Sequence, residues 1–192
     1  MSPILGIYAS QISGHLGIPI ISSSDYYSIA TTTVGSGGAS SITFASIPST
    51  YTHLQIRGIS RETSAGYDQI HFRLNGDTGN NYSRHVLYGD GSSVYSDNNT
   101  TTNDIYAAPV PGPNQSSGVF NALIIDILDY ANTNKYKTTR SLGGADGNGS
   151  GYIFYASGLW MNTSATTSVT LYSNGSSANL AQYSTFALYG VK

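Results

Sequence analysis

The chain contains no cysteine, and Lys135, Lys137 and Lys192 are the only lysines among its 192 residues. Without thiols, disulfides and thiol chemistry are excluded, although this does not assign a compartment. Only 9% of residues are charged and the formal net charge is −2. No cluster of cations is present to neutralise a phosphate backbone, so nucleic acid is not an expected partner. No apolar stretch approaches the roughly 20 residues that span a bilayer, so no membrane partner is expected either. The N-terminus lacks a basic region ahead of a long apolar core, and no signal peptide is expected. Low charge often accompanies disorder, but 39% apolar residues and abundant aromatics oppose it here.

Tyrosine (16 residues) and glycine (22) are abundant, with Ser, Thr and Asn standing in for surface Lys and Glu. This is an all-β composition. The longest mostly apolar run, Val119–Tyr130, carries apolar residues at both odd and even positions. That pattern predicts a central strand covered on both faces. A buried helix is the competing reading, but branched residues and Gly, Pro, Asn and Ser flanks favour the strand.

The remaining segments alternate with period two. Asp25–Val34 and Ser41–Ile47 read as a hairpin joined by V-G-S-G-G-A-S. Thr52–Ser60 sets Leu54, Ile56 and Gly58 against Arg57, and Gln69–Asn75 sets Ile70, Phe72 and Leu74 against His71 and Arg73. Arg57 and Arg73 are neighbours on one polar face if those strands pair. Tyr82–Tyr88 is a short strand or a helical turn. Gly89–Ser117 reads as a low-complexity region holding a brief strand at Ile105–Val110. Lys135–Ser141 reads as an exposed edge guarded by lysines, and Leu142–Gly151 as a glycine-rich loop. Tyr152–Met161, Thr166–Tyr172 and Gln182–Val191 complete the set. About eight strands predict one antiparallel β-sandwich over residues 25–192, jelly-roll-like. Residues 1–24, with Ile4, Leu5, Ile7, Tyr8 and Ile12, read as an apolar arm packed on the domain or a neighbouring subunit, or as an ordinary first strand.

Catalytic and metal signatures are weak. The four histidines, His15, His53, His71 and His85, show no ligand spacing. Asp77, Asp90 and Asp97 sit in stretches that read as Gly/Asn-rich turns, and capping explains them better than calcium does. Asp126 and Asp129 fall on opposite faces of one strand, which removes them as a pair for sugar hydrolysis. Asp126 needs a cationic partner, which Arg57, Arg73, Arg84 or Arg140 could supply, with Arg73 taken as the partner in a structural ion pair. No nucleophile elbow or phosphate loop is present. The chain is therefore expected to be no enzyme and to need no cofactor. Tyr82, Tyr88, Tyr95 and Tyr106, read as lying in or beside loops, are candidates for glycan or subunit contact.

Several stretches resemble a recurrent module of tailed-bacteriophage virion proteins. They are S-I-T-F-A-S-I-P-S-T-Y-T-H-L-Q-I-R-G (41–58), L-N-G-D-T-G-N-N-Y-S-R-H-V-L-Y-G-D-G (74–91), D-I-L-D-Y-A-N-T-N-K-Y-K-T (126–138) and S-T-F-A-L-Y-G-V-K (184–192), together with the opening M-S-P-I-L-G-I-Y-A-S. The resemblance implies a phage structural protein placed on the virion surface, assembled in the host cytoplasm and released by lysis. It implies other virion proteins as partners, the major capsid protein foremost, and a homo-oligomer, with a trimer favoured. A capsid decoration or cement subunit is the expected role. The alternative is a small tail-associated or receptor-binding protein that recognises host surface glycans.

Overall fold

Alternation of apolar and polar side chains builds twelve strands and, among the described residues, no helix. A computed structural model describes residues 25–175 and 177–192. In chain order the strands are β1 (Tyr26–Thr33), β2 (Ile42–Phe44), β3 (His53–Ser60), β4 (Tyr67–Leu74), β5 (Tyr82–Gly89), β6 (Val94–Thr102), β7 (Ile105–Pro111), β8 (Asn121–Leu128), β9 (Lys137–Asp146), β10 (Gly151–Trp160), β11 (Val169–Ser173) and β12 (Thr185–Val191). One sheet holds eight of them in the order β1-β12-β3-β8-β9-β10-β5-β6, and the other holds β2-β11-β4-β7.

The pairing shows how the expected eight strands became twelve. β1 pairs with β12, β2 with β11, β3 with β8 and β4 with β7, all antiparallel. This is the pairing of one long hairpin wound into two facing sheets, the jelly-roll arrangement. The other four strands are insertions. β5–β6 interrupts the connection from β4 to β7, and β9–β10 interrupts that from β8 to β11. All four join the larger sheet on the β8 side and widen it.

The core lies between the sheets. Leu54 and Ile56 of β3, Leu123, Ile125 and Ile127 of β8, and Phe186 and Leu188 of β12 meet Ile70, Phe72 and Leu74 of β4 and Val169 and Leu171 of β11. The alternation read in the Thr52–Ser60 and Gln69–Asn75 segments accounts for this layer. His71 was expected to face outward, yet it is buried as well.

Five local expectations are corrected. The first two runs form no hairpin, because β1 and β2 belong to different sheets. Arg57 and Arg73 are likewise on different sheets and are not neighbours. Gly89–Ser117 holds two strands, β6 and β7. The glycine-rich Leu142–Gly151 stretch is strand through Asp146, with its turn confined to residues 147–150. Finally, the Lys135–Ser141 stretch is no edge, since β9 lies between β8 and β10. Lys137 is fully buried, and its ammonium donates to the carbonyls of Asn132, Lys135 and Thr163. Burial holds its pKa below the ordinary lysine value, with the Lys135 charge acting the same way.

Why β9 reads as an edge followed by a loop is visible in its inward side chains, Thr139, Ser141, Gly143 and Ala145. They are small because β7 presses close beneath. A Cβ on Gly143 would stand 2.6 Å from the Ala108 Cβ, and one on Gly158 of β10 would stand 2.6 Å from Ile105 Cγ2. A sheet of large inward residues could not approach β7 so closely.

Glu62, 1% exposed just beyond β3, bonds the Ser173 hydroxyl and accepts the Asp68 amide. Burial pushes its carboxyl up to about 7; the Ser173 hydrogen bond opposes the rise and the Asp68 charge adds to it. The folded chain thus holds this proton more tightly than the unfolded one. Stability should therefore fall as pH climbs from the ordinary glutamate range to about 7. Glu62→Gln is expected to match the wild type near pH 4 and to be more stable by roughly 2–3 kcal/mol near pH 8. Urea midpoints at the two pH values test this.

Candidate functional site

Two surfaces stand out, and both include inserted strands. The first is the outer face of the larger sheet. β8 alternates strictly: Asn121, Leu123, Ile125 and Ile127 are buried, whereas Ala122 and Ile124 are exposed. The expectation that this strand is covered on both faces is thereby corrected. It is central in its sheet, but its outer side chains face solvent.

Register places these side chains in two rows. In one, Ile124 is opposite Leu142, Leu142 opposite Tyr155 and Tyr155 opposite Leu87. In the other, Ile59 is opposite Ala122, Ala122 opposite Gly144 and Gly144 opposite Ile153. Ile59, Leu87, Ile124, Leu142, Ile153 and Tyr155 are 40–62% exposed. Five adjacent strands thus present a contiguous apolar band about 20 Å wide, given roughly 4.8 Å between strands. Single exposed apolar residues are ordinary, but a band of this kind marks an interaction surface. Over its β8–β9–β10 part runs an open groove of ≈ 970 Å³, bounded by the turns at Asp90–Ser92 and Gly149–Gly151. Arg57, Arg140 and Asp146 flank the band.

The second surface is a cleft of ≈ 390 Å³ between β4–β7 of the smaller sheet and β5, β6 and β10 of the larger one. A register shift in the β4–β7 pairing sets His71 opposite Tyr106. Their rings stack at 5.4 Å, and Tyr106 packs on Phe154 with ring centroids 4.1 Å apart. Tyr88 adds a further ring, 6.3 Å from Phe154 and 6.4 Å from Tyr152, while Tyr67 meets Tyr152 edge-on at 5.2 Å. The Arg84 guanidinium lies 5.6 Å from the centre of the Tyr106 ring and 3.8 Å from Asp97. Burial raises the Tyr106 phenol well above its ordinary range, so the hydroxyl keeps its proton.

Asp104, just ahead of β7, fixes this wall. Its carboxylate takes hydrogen bonds from His71 Nδ1 (2.8 Å) and Tyr172, with Arg73 Nη2 3.7 Å away. Burial works against its ionisation, but those two hydrogen bonds and the Arg73 charge outweigh it and hold the carboxyl below the usual range. Because an ionised carboxylate only accepts, His71 Nδ1 carries the proton and Nε2 is turned away from Asp104.

The tyrosines singled out from the sequence all lie in strands, not loops. Tyr88 and Tyr106 line the cleft, and Tyr95 stacks on Tyr88 at 4.9 Å. Tyr82 does not belong with them. It is fully buried, donates to the Leu74 and Asp77 carbonyls, and stacks on Trp160. The expected Asp126–Arg73 pair is also corrected. Asp126 accepts from Arg140 Nε (2.7 Å) and Gln55 Nε2 (2.8 Å), whereas Arg73 belongs to the Asp104 cluster on the other sheet. Asp129 lies past the end of β8 at φ 47° and meets Lys135 and His53.

Asp77 and Asp90 cap turns through Gly79 and through Ser92 and Ser93, while Asp97 is in β6. Among the described residues no group of three or more His, Cys, Asp or Glu is placed to hold a metal ion. The arm residues Ile4, Leu5, Ile7, Tyr8 and Ile12 lie outside the described residues. His71, Arg84 and Tyr152 are the cleft residues that sequence reasoning missed. The alternation around His71 and Tyr152 was legible, but not the strand insertion that brings them together with Arg84. Comparison of the chain with protein-family models, curated proteins and solved structures finds no match.

Asp104→Ala strips His71, Tyr172 and Arg73 of their shared acceptor and is expected to cost about 3 kcal/mol at neutral pH. A depressed carboxyl contributes stability above its unfolded pKa and loses it as pH falls through the folded one. The gap between variant and wild type should therefore narrow in acid, as read by chemical denaturation across pH.

Proposed function

We propose that this chain is a non-enzymatic structural subunit of a tailed-bacteriophage particle. Its role is capsid decoration or cementing, as a homo-oligomer, with a trimer favoured, seated on the major capsid protein at the particle surface. The observation that carries this reading is the uncovered apolar band of the larger sheet. Burying six half-exposed apolar side chains contributes on the order of 6 kcal/mol before the costs of association. Such a face suits a subunit that spends its working life against another protein.

The occupant is the Met1–Ser24 segment of a neighbouring copy. That segment has no Asp, Glu, Lys or Arg and is rich in Ile and Leu, which matches the uncharged band. It precedes β1 at the edge of the same sheet. Extended, 24 residues reach about 80 Å, ample to cross to an adjacent subunit. The resemblance of the 41–58, 74–91, 126–138 and 184–192 stretches to phage virion modules supports the same reading. The aromatic cleft favours a second placement, a small tail-associated or receptor-binding subunit whose contacts are glycans.

Removal of residues 1–24, or Ile124→Asp with Leu142→Asp in the full chain, is expected to turn the oligomer into a monomer. Both changes should abolish co-sedimentation with particles while leaving the β circular-dichroism signal intact. Light scattering and sedimentation read the result. Truncated chains that still assemble would overturn the arm assignment, and a wild-type monomer with no affinity for particles would overturn the subunit reading.

A further inference from the structure

We infer that the cleft between β4–β7 and β5, β6 and β10 is a binding site for a neutral pyranose saccharide. Its walls supply aromatic faces, from Tyr88, Tyr106 and Tyr152, against which the C–H face of a sugar ring packs. Its polar groups, Gln69, Asp68, Asp97, Asn174 and Arg84, offer both donors and acceptors to ring hydroxyls. At ≈ 390 Å³ the space is near the lower end of small-ligand sites, enough for one or two sugar rings and too small for a folded peptide.

Unmet hydrogen bonds point the same way. Five buried side-chain polar atoms among the described residues have no partner, and three of them, Tyr67 Oη, His71 Nε2 and Arg84 Nε, belong to residues lining this cleft. Buried polar atoms are nearly always paired, so their concentration at one place marks a site built to be completed by a polar guest. Rotation of the Tyr67 and Arg84 side chains would turn Oη and Nε, buried as they stand, onto such a guest. His71 cannot turn, being held by Asp104 and stacked on Tyr106, so its Nε2 stays buried behind the wall and the guest meets the wall through the other two.

Charge selects the class of sugar. Asp68 and Asp97 are set against the single cation Arg84, which already faces Asp97. An acidic sugar or a phosphate would meet at least one unbalanced carboxylate, so the guest is neutral. This site does not depend on where the subunit sits on a particle. Its failure would leave the structural role untouched, and the loss of that role would leave the site.

The test is saturation-transfer NMR on the full chain with the methyl glycosides of glucose, galactose, mannose and N-acetylglucosamine, and with N-acetylneuraminic acid as the acidic comparator. At least one neutral glycoside should receive saturation, strongest on ring C–H protons, and the acid none. Tyr88→Ala and Asp97→Ala, one at the aromatic wall and one on the exposed β6, should each weaken binding about tenfold. Should Tyr88→Ala disturb folding, Asp97→Ala on its exposed strand still reads the site. No transfer to any neutral glycoside, transfer unchanged in both variants, or equal transfer to the acid would each refute the assignment.

Discussion

Four strands face eight. The smaller sheet covers the β12, β3 and β8 region of the larger one and reaches under β9 and β10 only through its edge strand β7. Everything distinctive about the molecule depends on that mismatch. Where β7 runs beneath β9 and β10 the sheets close tightly, and Gly143 and Gly158 are required because any side chain would strike Ala108 or Ile105. Beyond β7 the sheets part, and the aromatic cleft opens between the β4–β7 edge and the overhanging β5 and β6. β6, furthest out, is exposed along nearly its whole length.

The same insertions create the outer band. A jelly roll of eight strands needs only the β1-β12-β3-β8 half of the larger sheet. Adding β9, β10, β5 and β6 doubles its width, and the first three carry the row Ile124, Leu142, Tyr155 and Leu87 into solvent. With few charges in the composition, tyrosine takes roles elsewhere given to Lys and Glu. It stacks in pairs, as Tyr88 does on Tyr95, and it seats cations, as Tyr26 and Tyr189 do for Arg57. A surface of this kind offers hydroxyls and amides to water and aromatic rings to apolar contacts.

Legibility followed side-chain size. β3 and β4 announced themselves because large apolar residues alternate along them, and Leu54, Ile56, Ile70, Phe72 and Leu74 do face inward, whereas β8 and β10 announced themselves as apolar runs. β6, V-Y-S-D-N-N-T-T-T, buries almost nothing and so carries no alternation to read. β9 buries half of its residues, but close approach to β7 keeps them small, so K-T-T-R-S reads as an edge strand and L-G-G-A-D as a loop. In the site, the candidate tyrosines were picked by type. Tyr88, Tyr95 and Tyr106 converge, while Tyr82, with the same chemistry, serves the core.

Sequence alone determined the class of structure and the inward apolar residues of β3 and β4, because period-two alternation is a local property of the chain. It also excluded thiol chemistry, because the chain has no cysteine. Only the tertiary structure decided which strands pair, since β1 meets β12 across more than 150 residues and no local signal spans that distance. Pairing in turn decided whether β8 had one dry face or two, whether Lys137 was at an edge or in the interior, and whether Asp126 met Arg73 or Arg140. Those outcomes depend on which neighbour occupies the adjoining place in the sheet, a choice made when the four inserted strands widened one layer and not the other.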